Sequence, residues 1–264
     1  MAIITDHHTL AFAFGLLGNI VAFMVYLAPL PTFYRVYKEK STGGFQSIPY
    51  LVALFSAMLW LYYAFLKPNG FMLITINSIG CATETIYIIM YLIYAPRKAK
   101  ISTMKLLLLL NMVVFGLILT FTIIFAHGSL RIAIVGWICA GFNVCVFAAP
   151  LSIIRLVIRT KSVEYMPFTL AFFLTLCAVM WFFYGLLVKD FFIALPNVLG
   201  FTFGIAQMIL YMIYKDAKKG DVTKIKAEEL DPKTYPSEDQ VTPMEIDTGP
   251  GIQEKYFQPS DLIV

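Results

Sequence analysis

Residues 60 to 77, WLYYAFLKPNGFMLITIN, return in a second version as residues 181 to 197, WFFYGLLVKDFFIALPN. Each copy starts on a tryptophan in one apolar run, crosses a short polar turn and ends on an asparagine inside the next apolar run. Trp60 is thereby paired with Asn77 and Trp181 with Asn197. An amide within hydrocarbon is costly unless it meets a partner or lines a wet cavity, so two such pairs at matching positions ask for a common explanation.

The surrounding composition places both copies in a membrane. Of 264 residues, 59% are hydrophobic and 14% charged, with a mean hydropathy of +0.78, far from a soluble domain. Seven apolar stretches are long enough to cross a bilayer. They run over Leu10 to Tyr34, Ser47 to Leu66, Phe71 to Tyr94, Met104 to Ala126, Ile132 to Ile154, Pro167 to Val188 and Phe191 to Tyr214. Lys and Arg in the successive connections number 0, 3, 1, 4, 1, 3, 1 and 5. That alternation obeys the positive-inside rule at every crossing and predicts an extracellular N-terminus, residues 1–9, and a cytosolic C-terminus. Residues 215–264 carry eleven acids, seven Lys or Arg and five prolines, and read as a disordered cytosolic tail. No cleavable signal peptide precedes the first run.

The repetition extends beyond the opening stretch. At an offset of 121, Ala28-Pro29-Leu30 is echoed by Ala149-Pro150-Leu151, Lys40-Ser41 by Lys161-Ser162, and Tyr63 by Tyr184. At 120, Tyr91-Leu92-Ile93-Tyr94 is echoed by Tyr211-Met212-Ile213-Tyr214. Stretches one to three therefore recur as five to seven. Two odd-numbered copies in series face opposite ways unless an extra crossing separates them, and the fourth stretch, which has no echo, supplies it. The expected fold is an all-α integral membrane protein of seven transmembrane helices: two parallel three-helix repeats, residues 10–96 and 131–214, joined by an inverting linker helix within residues 97–130. The interface between such repeats is a natural ligand site.

A tryptophan near mid-membrane offers a flat apolar face to a sugar ring, and an asparagine offers donors and acceptors without charge. Asn77, Asn197, Trp60 and Trp181 thus point to a polyhydroxylated solute; the plainer alternatives are interfacial anchoring for the tryptophans and helix-to-helix bonding for the asparagines. Pro29, Pro49, Pro150 and Pro167 lie near the cytosolic ends of their helices, placed as hinges for an inner gate, although Pro49 and Pro167 also suit a first helical turn. Pro49 lies eleven residues before Trp60 and Pro167 fourteen before Trp181, so the halves are unequal there. Glu84 is the single acid well inside the membrane. A proton-coupling role is open to it, but a structural one is preferred, with Thr83, Thr85 and Tyr87 near enough to bond it. Asp190 reads as the N-cap of the seventh helix, within reach of Tyr63.

Enzymatic chemistry finds no support. No metal, phosphate-loop or nucleophile motif is present, no cofactor or nucleic-acid partner is implied, and His7, His8 and His127 fall at helix ends. Cys81, Cys139, Cys145 and Cys177 lie in apolar stretches without paired spacing and read as free thiols. A seven-helix receptor is a distant alternative, since it predicts no strong internal repeat.

Taken together, Leu27-Ala28-Pro29, Lys40-Ser41-Thr42, Phe147-Ala148-Ala149-Pro150-Leu151-Ser152, Lys161 to Phe168 and Ala194-Leu195-Pro196-Asn197 resemble the plant SWEET sugar transporters over residues 10 to 214. The resemblance implies a facilitative, bidirectional uniporter working by alternating access without ion coupling, and a homo-oligomer, often a trimer, in the lipid of the plasma membrane. It assigns sugar binding to Asn77, Asn197, Trp60 and Trp181, the outer gate to Tyr63 and Asp190, and the hinges to the four prolines. It places Val25, Ser56, Val146 and Cys177 in the pocket, where small side chains resemble the sucrose-transporting subgroup; a hexose uniporter of the same family, with glucose as solute, is the alternative. Asn143 and Cys177 stand where that subgroup usually has serine, as does Ala22.

Overall fold

The computed structural model describes residues 2–163 and 166–215. The tail beyond Lys215 and the Glu164-Tyr165 pair of the second lysine-serine motif lie outside the described residues. Ten α-helices follow one another: α1 (Ala2–Leu27), α2 (Leu30–Glu39), α3 (Ile48–Phe65), α4 (Phe71–Tyr94), α5 (Arg97–Leu107), α6 (Phe115–Phe125), α7 (Gly128–Val146), α8 (Ala148–Thr160), α9 (Phe168–Leu187) and α10 (Phe191–Tyr214). A π-helical segment, Leu108–Val114, joins α5 to α6. Among the described residues these make seven helical spans long and apolar enough to cross a membrane, and no strand occurs.

The spans differ from the sequence expectation where prolines act. The first helix starts at Ala2 rather than Leu10, because nothing before Gly15 breaks a helix. It does not run unbroken to Tyr34. Pro29 and Pro31 remove the N–H groups that the carbonyls of Val25 and Leu27 would receive, so the chain turns at Ala28 and resumes as α2. The fifth span is longer than expected, Gly128–Thr160, and breaks at Phe147, just ahead of Pro150. Pro49 and Pro167 interrupt nothing: one lies in the first turn of α3 and the other is the N-cap of α9, where a missing N–H is harmless. The two helix starts lie twelve residues before Trp60 and thirteen before Trp181. The proline offset thus barely displaces the helices themselves.

The repeats are visible as matching contacts. α2 and α8 each end on a lysine in the left-handed region, Lys40 (φ 54) and Lys161 (φ 52). Each lysine reaches the last tyrosine of its own unit: Lys40 Nζ donates to Tyr94 Oη at 3.5 Å and Lys161 Nζ to Tyr214 Oη at 2.9 Å. The units meet where α1 packs on α9 and α3 on α7. Close approach there needs small residues. Gly18 of α1 is one, since a Cβ at that position would lie 3.2 Å from the Trp181 indole. In the linker, the π-helical turn brings Asn111 against α3, where it is buried and its Nδ2 donates to the Leu51 carbonyl at 3.4 Å. Most of the outer surface is apolar side chain, as contact with lipid tails requires.

Candidate functional site

A cavity of about 640 Å³ lies between the two units. Trp60 and Asn77 line it from one side, Trp181 and Asn197 from the other. Val25, Ser56, Asn143, Val146 and Cys177 line it as well, so every residue singled out for the pocket faces the same space. The volume falls in the range of pockets that enclose a small organic ligand.

The two asparagines are held alike. Asn77 Nδ2 donates to the Leu73 carbonyl at 2.8 Å and Asn197 Nδ2 to the Ile193 carbonyl at 2.7 Å, each one turn back along its own helix. One amide hydrogen of each is therefore committed to the backbone. The carbonyl oxygen and the second hydrogen remain for the cavity. The tryptophans are also matched: Trp60 meets Tyr63 edge-on at 5.6 Å, and Trp181 meets Tyr184 edge-on at 5.3 Å. Across the middle, Ser56 Oγ donates to Asn143 Oδ1 at 3.4 Å, linking α3 to α7.

The ends of α3 and α10 away from the basic connections are tied together. Tyr63 Oη donates to Asp190 Oδ2 at 2.7 Å, and Lys67 Nζ reaches the same oxygen at 2.8 Å. The other carboxylate oxygen accepts from the Phe192 N–H at 3.1 Å, so Asp190 caps α10 while it joins that helix to α3. Tyr184 Oη reaches the Asn69 carbonyl at 3.5 Å, and Tyr184 and Asn69 are the offset-121 counterparts of Tyr63 and Asp190. Toward the end bearing the basic connections the cavity continues past Pro49 and Ala149 to Ile48, which is 49% exposed. Pro49 is the one member of the proline set on the lining; Pro29, Pro150 and Pro167 lie behind it at helix starts and breaks.

The chain matches the family described as "Sugar efflux transporter for intercellular exchange" twice, over residues 12–99 and 133–219. It belongs to the SWEET family of bidirectional sugar transporters. Among its relatives, bidirectional sugar transporter SWEET13 of Oryza sativa subsp. japonica is 60% identical over 237 residues, 87% of this chain and 80% of that one. Bidirectional sugar transporter NEC1 of Petunia hybrida is 62% identical over 215 residues, 81% of each chain. Bidirectional sugar transporter SWEET14 of Arabidopsis thaliana is 52% identical over 258 residues, 97% of this chain and 90% of that one. The fold resembles a eukaryotic SWEET transporter solved at 3.7 Å resolution, with a TM-score of 0.75 and 36% identity over 80% of this chain and 99% of that structure. This SWEET moves sugar across a membrane and is not an enzyme.

Some contributors to the SWEET cavity escaped the sequence reading. Val52 and Ala53 line it without any polar pairing in the second half to flag them, whereas Tyr26 had a signal in its aromatic offset-121 counterpart, Phe147. Lys67 had a signal: it follows Tyr63 by four residues, just past the end of α3. Tyr184 and Asn69 also had one, as the repeat counterparts of the predicted gate.

Proposed function

We propose that this chain is a facilitative sucrose transporter of the plasma membrane, with the sugar bound between the two units at Trp60, Asn77, Trp181 and Asn197. The observation that carries this reading is the placement of both Trp–Asn pairs around one cavity. The tryptophan faces accept the apolar faces of sugar rings, and the asparagine oxygens accept from hydroxyls without fixing a charge. Small residues at Val25, Ser56, Val146 and Cys177 support the choice of a disaccharide, since they leave space for a second ring.

With the N-terminus outside, as the loop charges favour, the Tyr63–Asp190 closure is the outer gate and the open end faces the cytosol. Transport then alternates: sugar enters from the cytosolic side, the ends near Pro29, Pro49, Pro150 and Pro167 approach, and the Tyr63–Asp190 bond releases. Each copy of the chain carries its own complete cavity, and association into a homo-oligomer is compatible with this cycle.

Counterflow of labelled sucrose and glucose in proteoliposomes, with and without a pH gradient, tests the reading. Sucrose exchange at equal rates with and without the gradient, reduced at least about tenfold when Trp60, Trp181, Asn77 and Asn197 are all replaced by alanine, is the expected result. Exchange untouched by the fourfold replacement removes the site. Glucose exchange without sucrose exchange makes the chain a hexose carrier.

A further inference from the structure

Next to Tyr63, α3 carries a second polar contact at the same end. Tyr62 Oη accepts from Arg131 Nε on α7 at 2.8 Å and shares a 2.8 Å hydrogen bond with Thr122 Oγ1 on α6. Counting hydrogens fixes the direction. Thr122, fully buried, commits its single hydroxyl hydrogen to the Ile118 carbonyl at 2.7 Å, so Tyr62 donates to Thr122 and accepts from the guanidinium. The bonds run from the α7 cation through the phenol into the backbone of α6, and bonds linked in this way polarise and strengthen one another. Arg131 also lies over the Tyr62 ring, with Cζ 5.4 Å from its centroid.

Arg131 is not stabilised by its own helix. It is the fourth residue of α7, where a cation meets the positive end of the helix dipole, and it is half-buried. A charge so placed depends on partners from elsewhere, and α3 supplies one.

The contact crosses between the units. The linker is laced to α3 along its length: Ser47 Oγ and Thr103 Oγ1 share a bond at 2.6 Å, Asn111 reaches the Leu51 carbonyl, and Tyr62 bonds Thr122 with its ring edge-on to Phe115 at 6.5 Å. Tyr62 thus goes with α3 and the linker, while Arg131 goes with the second unit. Consecutive residues point about 100° apart around a helix, so Tyr63 and Tyr62 hold α3 to α10 and to α7 at once. At the matching α1–α9 interface the offset-121 positions of Tyr62 and Arg131 are Phe183 and Leu10. Phe183 packs there on Phe14 of α1 at 5.1 Å. The same positions are therefore apolar at one interface and joined by a charge-assisted bond at the other.

We propose that Arg131 and Tyr62 are positioning residues for transport, forming a second tie between the units that releases together with the Tyr63–Asp190 bond when the cavity opens outward. Neither residue is on the cavity lining, so the tie acts on the balance between inward-open and outward-open forms rather than on the fit of the sugar. This rests on Tyr63 and Asp190 being the outer gate.

The test expresses the full chain in intact cells and adds an impermeant thiol reagent outside, with folded protein measured by size exclusion. Mass spectrometry reads Cys177, which lines the cavity, and Cys81, which is packed within the first unit, as the control for a loosened fold. Arg131→Met and Tyr62→Phe are each expected to raise Cys177 labelling about fivefold or more, as for a partly exposed hydrogen bond to a charged group, with Cys81 unchanged. The double variant stays within about twofold of Tyr62→Phe, because Arg131 acts through that hydroxyl. Arg131→Met and Tyr63→Phe together multiply their effects, since separate bonds then hold one equilibrium.

Unchanged Cys177 labelling in both single variants overturns the proposal, as does Cys81 labelling that rises in step. Effects of Arg131→Met and Tyr62→Phe that multiply also overturn it, as does an Arg131→Met, Tyr63→Phe pair no faster than Tyr63→Phe alone. Where Arg131→Met does not fold, Tyr62→Phe decides. The underlying reading fails separately: labelling unchanged in Tyr63→Phe removes the outer gate itself, whereas a rise in Tyr63→Phe with inert Tyr62 and Arg131 variants removes this inference alone.

Discussion

Tyr63 and Asp190, 127 residues apart, share a 2.7 Å hydrogen bond that joins α3 of one unit to the first turn of α10 in the other. Lys67 lands on the same carboxylate oxygen, and the Asp190 side chain is 1% exposed while that of Lys67 is 31% exposed. Three contacts thus meet in one carboxylate: a helix cap, an ion pair and a hydrogen bond between units.

Loss of the tyrosine hydroxyl is expected to loosen this closure. A hydrogen bond to a charged group contributes about 1.5–3 kcal/mol, so Tyr63→Phe shifts the balance toward the outward-open form by roughly ten- to a hundredfold. Cys177 lines the cavity and reports the shift. An impermeant thiol reagent added outside should label Cys177 faster in Tyr63→Phe, as read by mass spectrometry of its peptide. Lys67→Met should act more strongly, because it leaves a buried carboxylate without its cation. The reverse ranking would mean that the ion pair adds little to the closure.

The asparagines should not tolerate a change of charge. In Asn77→Asp or Asn197→Asp the side chain loses the donor that now bonds Leu73 or Ile193 and sets an acceptor against a carbonyl. Counterflow by either variant should fall by more than in the alanine variant, where only the contact with sugar is lost, about 1 kcal/mol or a fivefold rise in KM. Aspartate variants as active as alanine ones would show that the back-bonds do not hold the amides.

Close packing at Gly18 gives a prediction about shape. Gly18→Ala places a methyl 3.2 Å from the Trp181 indole, so the ring must shift within the cavity. A KM for sugar raised several-fold is expected, at normal yield of folded protein. Gly116 in α6 has nothing within 4 Å of an added Cβ. Gly116→Ala should leave transport unchanged and, by relieving a helical glycine, raise stability by up to about 1 kcal/mol in a thermal denaturation assay. Equal effects at the two positions would argue against the Trp181 contact.

The lysine ties at the basic end should differ in strength although they are repeat counterparts. Lys161 reaches Tyr214 at 2.9 Å. Lys40 holds Tyr94 at 3.5 Å while its ammonium also sits 3.7 Å from the centre of the Tyr37 ring. Tyr214→Phe is expected to lower thermal stability by up to about 1 kcal/mol, as for an exposed polar contact, and Tyr94→Phe by less. The opposite order in the same assay would place the stronger tie in the first unit.

The seven spans, the repeat, the Trp60/Asn77 and Trp181/Asn197 pairs and the SWEET resemblance were all legible before any coordinates. They depend on properties a chain displays locally: apolar run length against bilayer thickness, and residue identity at a fixed offset. Even the meeting of Tyr63 with Asp190 was within reach, because each stands at a helix end where few partners are available. The Glu84 environment was not. Thr83, Thr85 and Tyr87 are its sequence neighbours, yet each bonds a carbonyl, and Tyr87 bonds one on another helix.

By itself, the sequence determined that the chain crosses a membrane seven times as two like units around paired polar groups, because transfer energies and repetition act residue by residue. Tertiary structure alone decided that Lys67 joins Tyr63 on Asp190, that each asparagine bonds back to its own helix, and that Tyr87 bonds the Tyr26 main chain. The physical reason is rotational. In a helix that is apolar all round, the face toward lipid and the face toward protein look alike in sequence. Close contacts between helices, such as those of Gly18, Gly80 and Asn111, set how the helices are turned, and so which side chains reach the cavity.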